Sequence, residues 1–185
     1  HSRFILRVDS NDDGTPERWM AIDHTSWVWD PTEDGNADRH LDYLRAVVRK
    51  DTNQDGSVDV IRALHQNTVQ FDNDSNGVIE LQWTWRAGVL KVDTDHDGDL
   101  DYTAWMHGWH QHWDWGMVEY HIHRFALTRI SDHDTDGIPE WKQRIIHMSN
   151  ATDWDFDHHL EQRESYTAAL TWSDADEDGY EEHIF

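Results

Sequence analysis

Five of the ten glycines stand 21 residues apart, at Gly14, Gly35, Gly56, Gly77 and Gly98, and a shorter step of 18 carries the comb on to Gly116, Gly137 and Gly179. His158 fills the one tooth that lacks glycine. A fixed period of this length forces an array of like units, because each unit is too small to bury a core alone.

Around the teeth the chain reads D-x-[D/N/T]-x-[D/N]-G-x-x-[D/E]. The intact copies are Asp9, Asn11, Asp13, Glu17; Asp30, Thr32, Asp34, Asp38; Asp51, Asn53, Asp55, Asp59; Asp72, Asp74, Asn76, Glu80; Asp93, Asp95, Asp97, Asp101; Asp132, Asp134, Asp136, Glu140; and Asp174, Asp176, Asp178, Glu182. A related copy, Asp153, Asp155, Asp157, Glu161, has His158 in the glycine position. Oxygen ligands at alternate positions wrap a hard cation, and glycine after the third ligand permits the turn that returns the last carboxylate. The expectation is about seven or eight Ca²⁺ ions. Charge agrees: these copies hold 28 of the 38 acids, and the remaining 10 would face 15 Lys and Arg. The net charge of −23 is therefore ligand chemistry, and it excludes nucleic acid as a partner.

Helical flanks and a bidentate Glu at position 12 are absent, that position holding Met20, Leu41, Arg62, Trp83, Ala104, Gln143 and Phe185. Flanking segments such as Phe4-Ile-Leu-Arg-Val8 and Val78-Ile-Glu-Leu-Gln-Trp-Thr-Trp85 are β-branched or aromatic and partly alternating. The predicted fold is all-β: one domain over residues 1–185, built of tandem hairpins joined by calcium loops. The loops resemble the calcium hairpins of FG-GAP and VCBS-type repeats, known from integrin propellers and bacterial surface proteins, and more loosely thrombospondin type 3 loops. That resemblance implies an extracellular or cell-surface setting, the periplasm included.

A second period lies under the first. The segments before odd loops match at Ile5–Val8, Val47–Lys50 and Val89–Val92, with a base at Arg7, Arg49 and Lys91. Turns are expected midway between loops, at His24, His65, His107 and His147 after odd loops and at Ala46, Ala87, Ala126 and Ala168 after even ones. The structural unit is then about 42 residues and four strands, propeller-like or an open hairpin array.

The repeat breaks once. A sixth loop aligned as Gln111–Glu119 has no carboxylate at its first, third or fifth position, and His107, His110, His112, His121 and His123 crowd around it with four tryptophans. Imidazole suits Zn, Cu or Ni rather than Ca²⁺. Two readings stand open: a transition-metal or ligand site holding Cu or Zn, or a turn packed by aromatics with its histidines exposed.

There is no nucleophile–base–orienter set, no phosphate loop and no free carboxylate pair, which favours a non-enzymatic role. No run of about 18 apolar residues offers a membrane span. Without cysteine, metal is the available staple. The function these features imply is a secreted, calcium-stabilised structural or adhesive repeat protein that self-assembles into filaments by pairing its first and last strands. The alternatives are carbohydrate binding or cleavage by a propeller, through stacking on the 12 tryptophans, and transition-metal handling by the histidines.

Overall fold

A computed structural model describes residues 1–114, 118–136, 138–155 and 159–174, and the backbone of 182–184. Ten strands follow one another: β1 (Ser2–Val8), β2 (Arg18–Trp29), β3 (Arg39–Lys50), β4 (Val60–Phe71), β5 (Leu81–Val92), β6 (Tyr102–Asp114), β7 (Glu119–Ser131), β8 (Trp141–Asp153), β9 (Gln162–Ser173) and β10 (Glu182–Ile184). Each pairs antiparallel with its neighbours in chain order, giving one up-and-down sheet that does not close. The all-β hairpin array expected from the repeat is present, and propeller closure is not.

The segment between two loops is a single strand of 12 or 13 residues in β2 to β9. No turn interrupts it. His24, His65, His107, His147, Ala46, Ala87, Ala126 and Ala168 all sit in strand interiors, paired in register with residues of the neighbouring strands. A 42-residue unit therefore holds two strands and not four. Its physical origin is the alternation of loop position: a strand of 12 residues spans about 40 Å, so successive loops fall on opposite margins of the sheet, and a loop meets its neighbour of the same margin only after two repeats.

Polar residues in mid-strand are tolerated because the sheet is one layer thick and both faces meet solvent. Only Ala21, Ala104 and Ala126 are buried apolar residues among those described. On one face the half toward the odd loops is aliphatic, with Ile22, Ala46, Leu64, Met106, Leu127 and Ile145 in one register row. An open hollow of ≈ 490 Å³ lies over Ala46, Leu64, Gly88 and Met106. The other half of that face is a polar ladder: His40 Nδ1 meets Gln70 Oε1 at 3.0 Å, and Gln70 Nε2 donates to Gln82 Oε1 at 2.7 Å. The opposite face is aromatic. There the Arg39 guanidinium lies 5.0 Å from the Trp29 ring and Arg49 5.5 Å from Trp19, adding cation–π attraction to the cross-strand pairs.

Accessible surface totals 12013 Å², against about 9,300 Å² for a compact monomer of this mass. The surplus of about 2,700 Å² is the signature of a layer that has no second layer over it.

Candidate functional site

In each described loop the backbone is bent at two points. Gly56 has φ +92° and Gln54 φ +65°, and the same pair of left-handed residues recurs at Asp12/Gly14, Glu33/Gly35, Ser75/Gly77 and His96/Gly98. The sixth position carries glycine because a side chain there costs about 1–2 kcal/mol. The fourth accepts any residue type, since its strain is offset by the bonds around it, and so it left no mark in the sequence.

Those bonds are made by the motif carboxylates. In the first loop Asp9 Oδ2 accepts the Gly14 N–H at 2.9 Å, Asp13 Oδ1 the Thr15 N–H at 2.7 Å and Glu17 Oε2 the Ser10 N–H at 2.6 Å. The pattern repeats with Gly35 on Asp30 and Asn36 on Asp34, with Gly77 on Asp72 and Asn73 on Glu80, and with Gly98 on Asp93 and Thr94 on Asp101. Several of these carboxylates, such as Asp30, Asp51, Asp72 and Asp93, shape the loop with both oxygens, whereas others use only one. Asp9 Oδ1, Glu17 Oε1 and Asp38 Oδ2 are buried and accept no hydrogen bond.

Among the described residues, carboxylates and not hydrocarbons are the most enclosed side chains. Asp59 is 1% exposed, Asp93 2% and Asp153 0%, and Asp72, Asp101 and Asp174 are buried as well, while Trp27 is 57% exposed. Burying an ionised carboxylate is costly unless a cation accompanies it. In the first five loops, among the described residues, no lysine or arginine supplies one; His96 Nδ1, 3.3 Å from Asp59 Oδ1, is the single ion-pair partner. Ligand oxygens of Asp9, Asp13 and Glu17 lie within 4.8 Å of one another, as do those of Asp72, Asp74 and Glu80, of Asp93, Asp95 and Asp101, and of Asp132, Asp134 and Asp136. Convergent carboxylate oxygens, part of them enclosed and some, as in Asp9, Glu17 and Asp59, without a hydrogen bond, fit a hard divalent cation of the size of Ca²⁺.

Burial acts to raise the Asp59 carboxyl, but the Thr52 hydroxyl and N–H, His96 and the Asn53 N–H outweigh it and hold the group below its ordinary range. Asp101 is lowered in the same way, burial being overcome by Thr94. For Glu17 the leading cause is the Ser10 N–H.

Loops on one margin are joined. The N–H of the acid that opens a loop donates to the carbonyl of the ninth residue two loops earlier: Asp51 to Glu17, Asp93 to Asp59, Asp132 to Asp101 and Asp174 to Glu140 on one margin, Asp72 to Asp38 on the other, at 2.8 to 3.0 Å. Side chains add to this through His96 on Asp59 and the Ser75 hydroxyl on Asp38. Asp95, Asp97, Asn53, Asp55, Asn76, Glu80, Thr32, Asp155 and Glu161 all occupy the loop positions expected of them. Asp157, Asp176, Asp178 and the Glu182 side chain lie outside the described residues.

The interrupted loop is framed differently from the sequence alignment. Asp114 N–H donates to Glu80 O at 2.7 Å, the bond that Asp51, Asp72, Asp93, Asp132 and Asp174 make at the start of their loops, and Asp114 pairs in register with Glu119. The sixth loop therefore runs from Asp114 to Glu119, keeps its first and ninth acids, and has lost three residues between them; it does not begin at Gln111. Strand alternation then sorts the histidines. His110, His112, His121 and His123 share one face as the cross-strand pairs His112↔His121 and His110↔His123, whereas His107 points to the opposite face beside Ala87 and Ala126. Burial, followed by His121, His112 and His123, pushes the His110 ring below the usual imidazole range.

Among the described residues no helix is long and apolar enough to cross a membrane. The chain matches no family model, no curated protein and no solved structure.

Proposed function

We propose that this chain is an extracellular structural module, a single-layer sheet whose two margins are set by rows of Ca²⁺ and which extends by adding the strands of further copies. The observation that carries the reading is the inverted burial: first and ninth loop acids such as Asp59, Asp72, Asp93, Asp101 and Asp153 are enclosed, while Trp27, Trp29, Trp83, Trp85, Trp105 and Trp154 are exposed. A layer with that distribution has no hydrocarbon core to hold it, so order comes from the metal at its margins and from what it assembles with.

Calcium counting by elemental analysis of the desalted protein tests the first half. Seven or eight ions per chain are expected, with the four-carboxylate loops beginning at Asp93, Asp132 and Asp174 filling before those beginning at Asp9, Asp30, Asp51 and Asp72. Four or fewer would make several of these loops plain turns.

Assembly follows from the sheet margin parallel to the strands. The outer edge of β1 is unpaired among the described residues, and its apolar run carries one charge and no proline, so nothing blunts it. Pairing of that edge with the last strand of another copy is heterologous and propagates as a filament. Light scattering should show particles growing with protein concentration in Ca²⁺ and not in EDTA. The Ile5→Pro and Leu6→Pro variants test alternate backbone donors, one aimed at β2 and one outward, and the outward one should block growth. A chain that stays monomeric in Ca²⁺ yet binds immobilised glycans through Trp83 and Trp85 would replace assembly with carbohydrate binding, the exposed aromatic face then acting as a sugar platform.

A further inference from the structure

In the described loops of full length whose second residue carries an N–H, the ninth acid folds back onto that residue's backbone, as Glu17 does onto Ser10 and Glu140 onto His133; Asp38, opposite Pro31, takes the Ser75 hydroxyl instead. Glu119 does something else. Its Oε1 lies 2.8 Å from His112 Nε2 and 2.9 Å from His121 Nε2, while the two imidazoles, cross-strand partners, stack with centroids 4.6 Å apart and planes 8° from parallel. All three side chains are largely enclosed, and one ligand atom from each falls within 4.8 Å of the other two. Despite its short approach to Glu119, His112 Nε2 is buried and makes no hydrogen bond of acceptable geometry.

We propose that His112, Glu119 and His121 bind one divalent transition-metal ion of the class that takes imidazole nitrogen, Zn²⁺, Ni²⁺ or Cu²⁺, at the shortened sixth loop. The three missing residues remove the oxygens that would wrap Ca²⁺, and the ninth acid that remains is turned toward two nitrogens, a donor set wrong for Ca²⁺ and right for the softer ions. Spacings of 2.8 and 2.9 Å with metal–ligand bonds of about 2.0–2.1 Å subtend about 90°, the angle of neighbouring positions in a tetragonal or octahedral centre. A tetrahedral site would need about 3.3 Å. The rings now lie side by side, so capture turns them about χ2, a torsion with a broad minimum. Beside the cluster a cavity of ≈ 240 Å³, bordered by His110, His123 and Arg163, leaves room for water or an anion on the open positions. The site does not depend on whether the full-length loops hold Ca²⁺.

The test titrates the whole chain, in millimolar Ca²⁺ to occupy the acidic loops, with Zn²⁺, Ni²⁺ and Cu²⁺ separately against a competing chelator. One ion per chain is expected, with affinity reduced by more than about tenfold in His112→Gln, in His121→Gln and in Glu119→Gln, and unchanged in His107→Gln on the opposite face. Absence of saturable binding overturns the proposal, as does equal affinity in the His112→Gln/His121→Gln double variant, which would place the ion on other histidines. Should the double variant lose its circular dichroism, the wild-type chain decides the matter: imidazole nitrogen resonances of His112 and His121 should shift together up to one equivalent of Zn²⁺, and shifts confined to other histidines would refute the site.

Discussion

Removal of Ca²⁺ is expected to unfold this protein outright: in EDTA the β-type circular dichroism should collapse and the melting transition disappear, and both should return on adding Ca²⁺. The expectation is quantitative. At a free concentration a hundredfold above its dissociation constant, one site that exists only in the folded chain contributes about 2.7 kcal/mol, so three such sites reach about 8 kcal/mol, within the about 5–15 kcal/mol that is the whole stability of an ordinary domain. Against this the sheet buries only three alanines as apolar side chains among the described residues. Seven ions would also move the formal charge from −23 to −9, relieving the repulsion among acids held a few ångströms apart. Acid should act in the same direction. The carboxyls of Glu17, Asp59 and Asp101 are lowered in the folded chain, so the stability they confer is complete above the ordinary carboxylate pKa and is lost as pH falls through their lower folded values. Protonation expels the metal as well. A chain whose dichroism and melting temperature are the same in EDTA and in Ca²⁺ would refute the proposed function at its root.

How much of this was legible beforehand depends on what kind of information each feature leaves in the residues. Ligand positions and the loop glycine repeat as residue types, so the loops could be placed to the residue. Strand length could not. His24, Thr25 and Ser26 in β2 read as a polar break because strands usually run about 5–6 residues and bury one face, but in a single layer a polar mid-strand residue is solvated or joins a cross-strand ladder, as His24 does with Asp42 at 3.1 Å. The odd–even alternation was visible while its cause was not: Arg7, Arg49 and Lys91 recur because their strands run in the same direction, and they fall in one register row across the sheet. The short step from Gly98 to Gly116 shows that three residues are missing but not where, since Asp114 and Gln111 serve equally well as the loop's start until a backbone bond to Glu80 chooses between them. Glu119 closes the loop under either start, but its approach to both His112 and His121 is a feature of the fold and leaves no mark in the residues.

The joined margins lead to the second large effect, a substitution whose cost should travel along one side of the sheet and stop there. Asp59 is the ninth residue of the third loop. One of its oxygens accepts from the Thr52 N–H and hydroxyl and from the Asn53 N–H at 3.2 Å, the other lies 3.3 Å from His96 of the fifth loop, and its carbonyl receives the Asp93 N–H at 2.8 Å. Asp59→Ala keeps the carbonyl but deletes an enclosed ligand, leaves the donors of Thr52 and Asn53 without their acceptor and unpairs His96, for an expected loss of about 3–5 kcal/mol. Asp55→Ala in the same loop removes an exposed carboxylate bonded only to its own loop, through the Ser57 N–H at 2.7 Å and Asn53 Nδ2 at 2.8 Å, and should cost about 1 kcal/mol beyond its share of metal affinity. Coupling should show the same geometry. Asp59→Ala and His96→Ala touch one another and should be non-additive by about 0.5–3 kcal/mol, whereas Asp59→Ala and Glu80→Ala, on opposite margins about 40 Å apart, should add to within about 0.5 kcal/mol. Denaturant melts in saturating Ca²⁺ measure all of these. If Asp59→Ala costs no more than Asp55→Ala, or if it couples across the sheet as strongly as along its margin, the two rows of loops do not act as separate seams.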